Sequence, residues 1–489
     1  SATARATTPA PLEPVPARFL GAEASLQELA RAITHVAADC PTAAGMLAVH
    51  SSIGAVSSLA AFGSESQQSR HLPGLAAGRP LSIFGGTEPD AGCDLGSVRA
   101  VLERRDGRLL LSGTKMFITN AIHGRLVKIL ATLDGRLRVA LVRLPDTDTA
   151  TFRLRHYDLH PLAHAHNAAL EFRGFEIDAA DLLDAGPRRD GLAIVWHGLN
   201  RGRVTLAAQA AGTLRLLLGQ ARDHARRRTT WSVPIGSREL VQGRLARIAA
   251  GIVACDALSA WAAAAIDTGQ TGELEAIAAK VTASTCVRDG AIDALGIHGG
   301  RAFLVGHPLG DALHDHFAVT VYEGESDLLG LALFKGIARR HPLAGHSGDQ
   351  PRLRRAGAWL AWRLATRADS ARDATILDAG LRGHARAARH GLGRVAVRID
   401  RAIRRHGSRL ADRQLEVGML AAAAREFVAV LAVAHHADAS GDESTCAAAD
   451  AWCRLAVARA AGRPPTAADL SAMAAVGAAV VAGTATFPA

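Results

Sequence analysis

The sequence predicts a mostly α-helical protein with a β domain inserted into it and an extra helical domain at its end. Three observations carry that prediction. Apolar residues recur at helical spacing up to about residue 81, alternate in short runs between 82 and 186, and return to helical spacing in long stretches from 191 onward. The chain divides accordingly into an N-terminal helical domain (1–81), a central β domain (82–186), a helical bundle (187–341), a linker (342–351) and an extra helical domain (352–489). A β layer set between two helical blocks implies a cleft where the layers meet, a usual place for a cofactor.

Each element has its own signal. Leu26, Leu29, Ala30 and Ile33 recur at i, i+3, i+4 and i+7, and 46–59 reads as a second apolar helix. Pro73-Gly74 and Gly78-Arg79-Pro80 punctuate the exit. Two strands, 98–104 and 108–113, are predicted around the Asp106-Gly107 turn. Further strands follow over 127–133, 136–143 (after Asp134-Gly135) and 168–175. Helices are expected over 193–225, 239–268, 274–295 and 327–339. Pro342, Gly345, Ser347, Gly348 and Pro351 make the linker. The last domain carries a dense arginine face: Arg382, Arg386, Arg389, Arg394, Arg398, Arg401, Arg404 and Arg405. It reads as a solvated, ion-paired surface, without the interleaved aromatics of a nucleic-acid groove.

Lys plus Arg number 56 against 46 Asp plus Glu. That balance favours anionic partners without choosing among them. The six cysteines (Cys40, Cys93, Cys255, Cys286, Cys446 and Cys453) form no C-x-x-C pair, which reads as reduced thiols in a cytoplasmic setting. The apolar stretch 472–487 is short for a membrane span, and the Ala-, Thr- and Pro-rich start reads as a flexible segment rather than a transit peptide. His156, His160, His164 and His166 lie in an irregular stretch without metal-ligand spacing.

Glu323 stands out as a candidate base. It follows Val319-Thr320-Val321-Tyr322, and Gly324 directly after it permits close approach of a ligand. Four other motifs precede it. In order they are Phe62 to Pro73, Thr87-Glu88-Pro89-Asp90-Ala91-Gly92-Cys93-Asp94, Lys115-Met116-Phe117-Ile118-Thr119-Asn120, and Arg228 to Ile235 with Gln242 beyond. Together with Tyr322-Glu323-Gly324 they resemble the acyl-CoA dehydrogenase family, over about two-thirds of the chain. The tail with Ser408 to Gln414 resembles the appended domain of that family's very-long-chain branch.

The resemblance implies the family's fold: N-terminal helices (here shortened), a central β-barrel-like domain and a C-terminal helical bundle, plus the extra domain. It implies FAD, and an acyl thioester, CoA- or carrier-protein-bound, losing its α-proton to Glu323 and its β-hydrogen as hydride to flavin N5. Such a proton is weakly acidic, so its removal calls for a carboxylate in a dry pocket. Carried over by position, the cofactor-side residues are Thr87, Cys93, Phe117, Thr119, Arg228, Trp231, Gln242, Gly296, Gly299, Gly300, Glu325 and Asp327. Asn200, Arg203 and Gly324 fall on the substrate side. Cys93, Phe117, Trp231, Gly296, Ala302 and Glu325 stand where the family has Ser, Trp, Phe, Gln, Gly and Thr. Glu325 is expected to bring a second carboxylate near the cofactor.

The implied partners are an electron-transfer flavoprotein or oxygen as acceptor and a second copy of the chain in a homodimer, with no membrane or nucleic acid. Two other readings remain: a flavin monooxygenase or dehydrogenase–oxygenase on the same scaffold, and a DNA-associated dehydrogenase-like flavoprotein.

Overall fold

The computed structural model describes residues 15–19, 21–342, 359 and 375–489. The linker beyond Pro342, and 352–374 apart from Trp359, lie outside them. The chain forms two compact units. One comprises 1–36, 40–206 and 263–271; the other comprises 37–39, 207–262 and 272–489.

The first unit opens with helix α1 (Leu26–Asp39), started by a capping box in which Ser25 and Glu28 satisfy each other's backbone N–H groups. The expected single helix over 46–59 is broken. It becomes α2 (Pro41–Ala48), a π-helical turn (Val49–Ile53) and α3 (Ala55–Phe62). The break falls at Gly54, where a Cβ would lie 2.4 Å from the Ser82 hydroxyl. Helix α4 (Glu65–Ala76) begins with a second capping box, Ser64 with Gln67. The Gln67 amide also donates to the carbonyls of Ala180 and Leu182, tying α4 to the sheet.

The sheet contains β1 (Ser82–Gly85), β2 (Val101–Arg105), β3 (Arg108–Ile118), β4 (Leu126–Leu133), β5 (Arg136–Arg143), β6 (Phe152–His156), β7 (Ala168–Ile177) and β8 (Leu182–Leu183). Its order is β6-β7-β3-β2-β4-β5-β8, with β1 parallel to β4. Both Asp-Gly hairpins form as read, pairing Arg105 with Arg108 and Leu133 with Arg136. The strand expected from residue 98 starts only at Val101, following a 3-10 turn over Leu95–Ser97 that Asp94 caps. Strands β1, β6 and β8 are short, with alternation too brief to read from sequence. An apolar core joins Val56, Leu59, Leu72 and Leu75 to Leu130, Leu141, Ile194 and Val195. Each such fully buried side chain contributes about 1.5–3 kcal/mol.

Helix α5 (Gly191–Arg227) passes from the first unit into the second after Leu206. The second unit continues through a small hairpin, β9 (Thr229–Thr230) with β10 (Val233–Pro234), and α6 (Glu239–Asp267), whose last residues return to the first unit. Then follow α7 (Glu273–His298), α8 (Pro308–Asp311), α9 (Leu313–Ala318) and α10 (Ser326–Arg339). Ile277 and Val281 of α7 pack on Leu329 and Leu333 of α10. The remaining helices among the described residues are α11 (Ala379–His406), α12 (Gln414–Ser440), α13 (Glu443–Ala460) and α14 (Ala467–Ala482). Helix α12 packs against α7 and α10, so the extra helices and the bundle make one unit. Among the described residues, three helical stretches, Pro41–Phe62, Glu239–Asp267 and Gln414–Ser440, are long and apolar enough to cross a membrane, and more than half of the apolar window in each is buried within the protein.

Candidate functional site

In the first unit the Thr87–Asp94 and Lys115–Asn120 motifs meet. The Met116 N–H donates to the Thr87 carbonyl at 2.9 Å. Lys115 and Glu88 form an ion pair at 2.7 Å, both buried. Glu88 also accepts from the N–H groups of Arg99 and Ala100, and Lys115 donates to the Leu130 carbonyl at 2.6 Å. Glu88 is therefore a structural carboxylate, fully engaged in holding the two motifs together. Thr119 donates to the Asn167 side chain at 3.2 Å. Phe117 is 54% exposed, with positive φ, its N–H bonded to the Tyr157 hydroxyl and its ring edge-on to Tyr157. Cys93 is exposed beside the Asp94 cap.

Asn200 and Arg203 come together one turn apart on α5. The guanidinium donates to the Asn200 amide oxygen at 3.1 Å, and the Asn200 amide donates to the Thr271 carbonyl at 3.3 Å. Both are buried, with Arg203 near the face of Trp196. Trp196 also borders an open cleft of about 650 Å³, with Arg136, Arg188 and Arg189 on its wall.

In the second unit Glu323 sits in the tight turn between α9 and α10 with φ of 57°, followed by Gly324 at 103°. One carboxylate oxygen, Oε2, is shielded from solvent. The Tyr322 phenol beside it is pushed far above its ordinary pKa, first by burial and then by the Glu323 charge. The Lys280 ammonium on α7 donates to the carbonyls of Gly324 (2.7 Å) and Thr320 (3.2 Å). Glu325, two residues on, begins the next helix. Its carboxylate accepts from the N–H groups of Asp327 and Leu328 at 3.0 Å each, capping α10. A helix N-terminus needs acceptors and favours negative charge, so this carboxylate is committed to the helix. Asp327 is exposed in the first turn.

Arg228 and Trp231 lie on the β9–β10 hairpin, Trp231 being 88% exposed with the Arg238 guanidinium 5.4 Å from its ring. Gln242 donates to the Gly236 carbonyl at 3.1 Å, closing the loop after the hairpin. At Gly296 a Cβ would fall 1.2 Å from an Arg244 nitrogen, so that guanidinium takes the room a larger residue would use. Gly299 ends α7 at positive φ, with open space before it and Gly300.

A histidine stack escaped the sequence reading. The rings of His224 and His298 are 4.4 Å apart, and His307 meets His298 edge-on at 5.1 Å. Both His298 ring nitrogens and His307 Nδ1 are buried without a hydrogen-bond partner. Burial, aided by its charged neighbours, pushes His298 down to about 4. Burial lowers the pKa of His224 as well, with the charges of Arg301, Arg227 and Arg228 adding to the shift. The available signals were His298 inside the Gly-Ile-His-Gly-Gly run and His224 one turn before Arg228. Orphaned ring nitrogens, nearby arginines and two open glycines suit a diphosphate, so these residues fit the anionic part of FAD. Among the described residues, no cluster of three or more His, Cys, Asp or Glu side chains is placed to hold a metal ion.

Residues 13–79 match the acyl-CoA dehydrogenase N-terminal domain and residues 189–338 its C-terminal domain. An acyl-CoA dehydrogenase of Bacillus subtilis is 32% identical over 329 residues, 66% of this chain and 85% of that one. The chain belongs to the acyl-CoA dehydrogenase family. As a member it is a flavoprotein oxidoreductase acting on acyl thioesters, with FAD as cofactor. The bovine very-long-chain specific acyl-CoA dehydrogenase is 28% identical over 308 residues, 58% of this chain and 45% of that one. A Bacillus anthracis acyl-CoA dehydrogenase, solved with FAD, superposes with a TM-score of 0.79 at 18% identity. It covers 97% of this chain and 87% of its own, so the extra helices belong to an architecture already seen with this fold.

Proposed function

We propose that this member of the family dehydrogenates an acyl thioester between its α and β carbons, with Glu323 as the base. The turn that carries Glu323 supports this reading most. A glutamate in a left-handed conformation, with one oxygen shielded from water, is a strained arrangement of the kind that functional sites retain. Burial strengthens a carboxylate as a proton acceptor, as a weakly acidic α-proton requires. FAD, when bound, accepts the β-hydrogen as hydride.

Thr87 and Thr119, on the two motifs joined by the Glu88–Lys115 pair, would hold the flavin ring, with Cys93 and Phe117 at its border. Arg228, Trp231, Gln242, Gly296, Gly299 and Gly300 would receive the diphosphate side, joined by the histidine stack. Asn200 and Arg203 would bind the thioester carrier, and Gly324 would admit the acyl group beside the base. Exposed Trp231, Leu240, Phe303, Leu304 and Val305 in the second unit favour a homodimer, because large exposed apolar groups mark association surfaces. Six free thiols favour the cytoplasm. The electron acceptor is an electron-transfer flavoprotein or oxygen.

Anaerobic mixing of the FAD-loaded protein with a panel of acyl-CoA and acyl-carrier-protein thioesters tests this function. The flavin absorbance should bleach with at least one thioester, and Glu323→Gln should slow bleaching by roughly 10²–10⁴-fold. Full-rate bleaching in Glu323→Gln removes that residue from the reaction. Oxygenated product under air, or salt-dependent binding to duplex DNA without bleaching, would support the rival readings instead.

A further inference from the structure

We propose that Lys280 is a positioning residue for the base: its buried ammonium clamps both ends of the turn bearing Glu323 and so fixes where the carboxylate points. This rests on reading Glu323 as the base. The lysine lies on α7 in the apolar run Ile277 to Val281, fully buried. Taking an ammonium out of water is costly, so its place needs strong compensating contacts. Two of its hydrogen bonds are directed at one object. Nζ donates to the Gly324 carbonyl at 2.7 Å and to the Thr320 carbonyl at 3.2 Å, the two carbonyls that bracket residues 321–323.

The turn needs such a clamp. Glu323 and Gly324 are consecutively left-handed, a conformation that an L-glutamate does not hold unaided. Charge-assisted bonds to two carbonyls supply the restraint from outside the turn. A second anchor meets the same oxygen: the Ser326 hydroxyl and N–H both donate to the Thr320 carbonyl, at 3.0 and 3.1 Å. Ser284, one turn along α7 from Lys280, pairs with Ser326 at 3.5 Å. Packing of Ile277 and Val281 on Leu329 and Leu333 fixes α7 against α10, so the ammonium arrives at a defined place. The same bond places a positive charge at the residue next to Glu323.

Lys280→Met and Lys280→Arg test this in the FAD-loaded full chain. Lys280→Met is expected to keep wild-type FAD stoichiometry while flavin reduction by a reactive acyl-CoA slows about a hundredfold. The acid limb of its rate–pH profile should move to higher pH, because the cation at the neighbouring residue is gone. Lys280→Arg keeps the charge and misplaces the donors, so it should slow reduction while leaving that limb in place. A rate in Lys280→Met within about twofold of wild type, or a loss fully explained by missing FAD, overturns the clamp. Should Lys280→Met fail to fold, Ser326→Ala removes one anchor of the turn and is expected to slow reduction several-fold with FAD retained; an unchanged rate there counts against the proposal. A wild-type flavin that no thioester bleaches would bring down the base assignment and the clamp together, whereas a fast Lys280→Met removes the clamp alone.

Discussion

Lys115 and Glu88 form a buried ion pair at 2.7 Å that locks one glycine-flanked loop to the end of a strand. The Lys115 ammonium is held below its usual pKa by burial, with the Glu88 hydrogen bond and charge opposing that shift. Its other bonds, to the carbonyls of Gly86 and Leu130, leave Glu88 as its one anionic partner among them. Lys115→Met would strand a buried carboxylate, at a cost of about 3–5 kcal/mol. Chemical denaturation of the first unit's transition measures this. A change below about 1 kcal/mol would show that the pair is dispensable.

Lys128 is the contrasting case. It is fully buried on β4, with a hydrogen bond to the Ser58 hydroxyl at 2.9 Å and the Phe84 ring 5.1 Å away. Burial pushes its pKa down to about 7 from 10.5. The unfolded chain therefore holds more protons between pH 7 and 10.5, and stability rises with pH across that window. Lys128→Met should raise stability at pH 7 by about 1–4 kcal/mol and flatten the pH dependence there. Denaturation midpoints at pH 7 and 9 check both parts.

His50 sets the acid side. It lies buried between the Ser82 hydroxyl and the Leu75 carbonyl, and burial pushes it down to about 4. Its folded pKa is below the unfolded 6.5, so the stability it contributes is complete above 6.5 and is lost as pH falls through 4. The gap is worth about 3 kcal/mol at roughly 1.4 kcal/mol per pH unit. His50→Gln should remove that acid-side loss from the pH profile of the melting temperature.

Glu325→Ala separates helix capping from chemistry. Removing the acceptor for Asp327 and Leu328 should cost about 0.5–2 kcal/mol. Flavin reduction and FAD stoichiometry should stay near wild type, in contrast with Glu323→Gln. Loss of FAD at unchanged folding would return Glu325 to the cofactor.

Much of the fold was legible because the chain changes its hydrophobic period where it changes structure. The Asp106-Gly107 and Asp134-Gly135 turns fixed two hairpins, and the long apolar helices fell within a few residues of their observed ends. Local chemistry that competes with period was harder to read. Asp94 caps a 3-10 turn just ahead of β2, which begins three residues later than expected, and the Ser82 hydroxyl left no room for a side chain at Gly54 between α2 and α3. In the candidate site, the motif residues carried their own signal through glycines, threonines and the Tyr322-Glu323-Gly324 run.

What the sequence by itself determined was the helical–β–helical order, the family's motifs and Glu323 as the residue to watch, because spacing and side-chain chemistry are local properties. Tertiary structure alone decided that Glu88 answers Lys115, that Glu325 caps a helix, that three histidines from separate elements stack, and that Lys280 reaches the Glu323 turn. Those pairings join residues tens of positions apart, or depend on which of two nearby backbone amides a carboxylate finds. Burial makes such polar groups seek partners wherever the folded chain brings them.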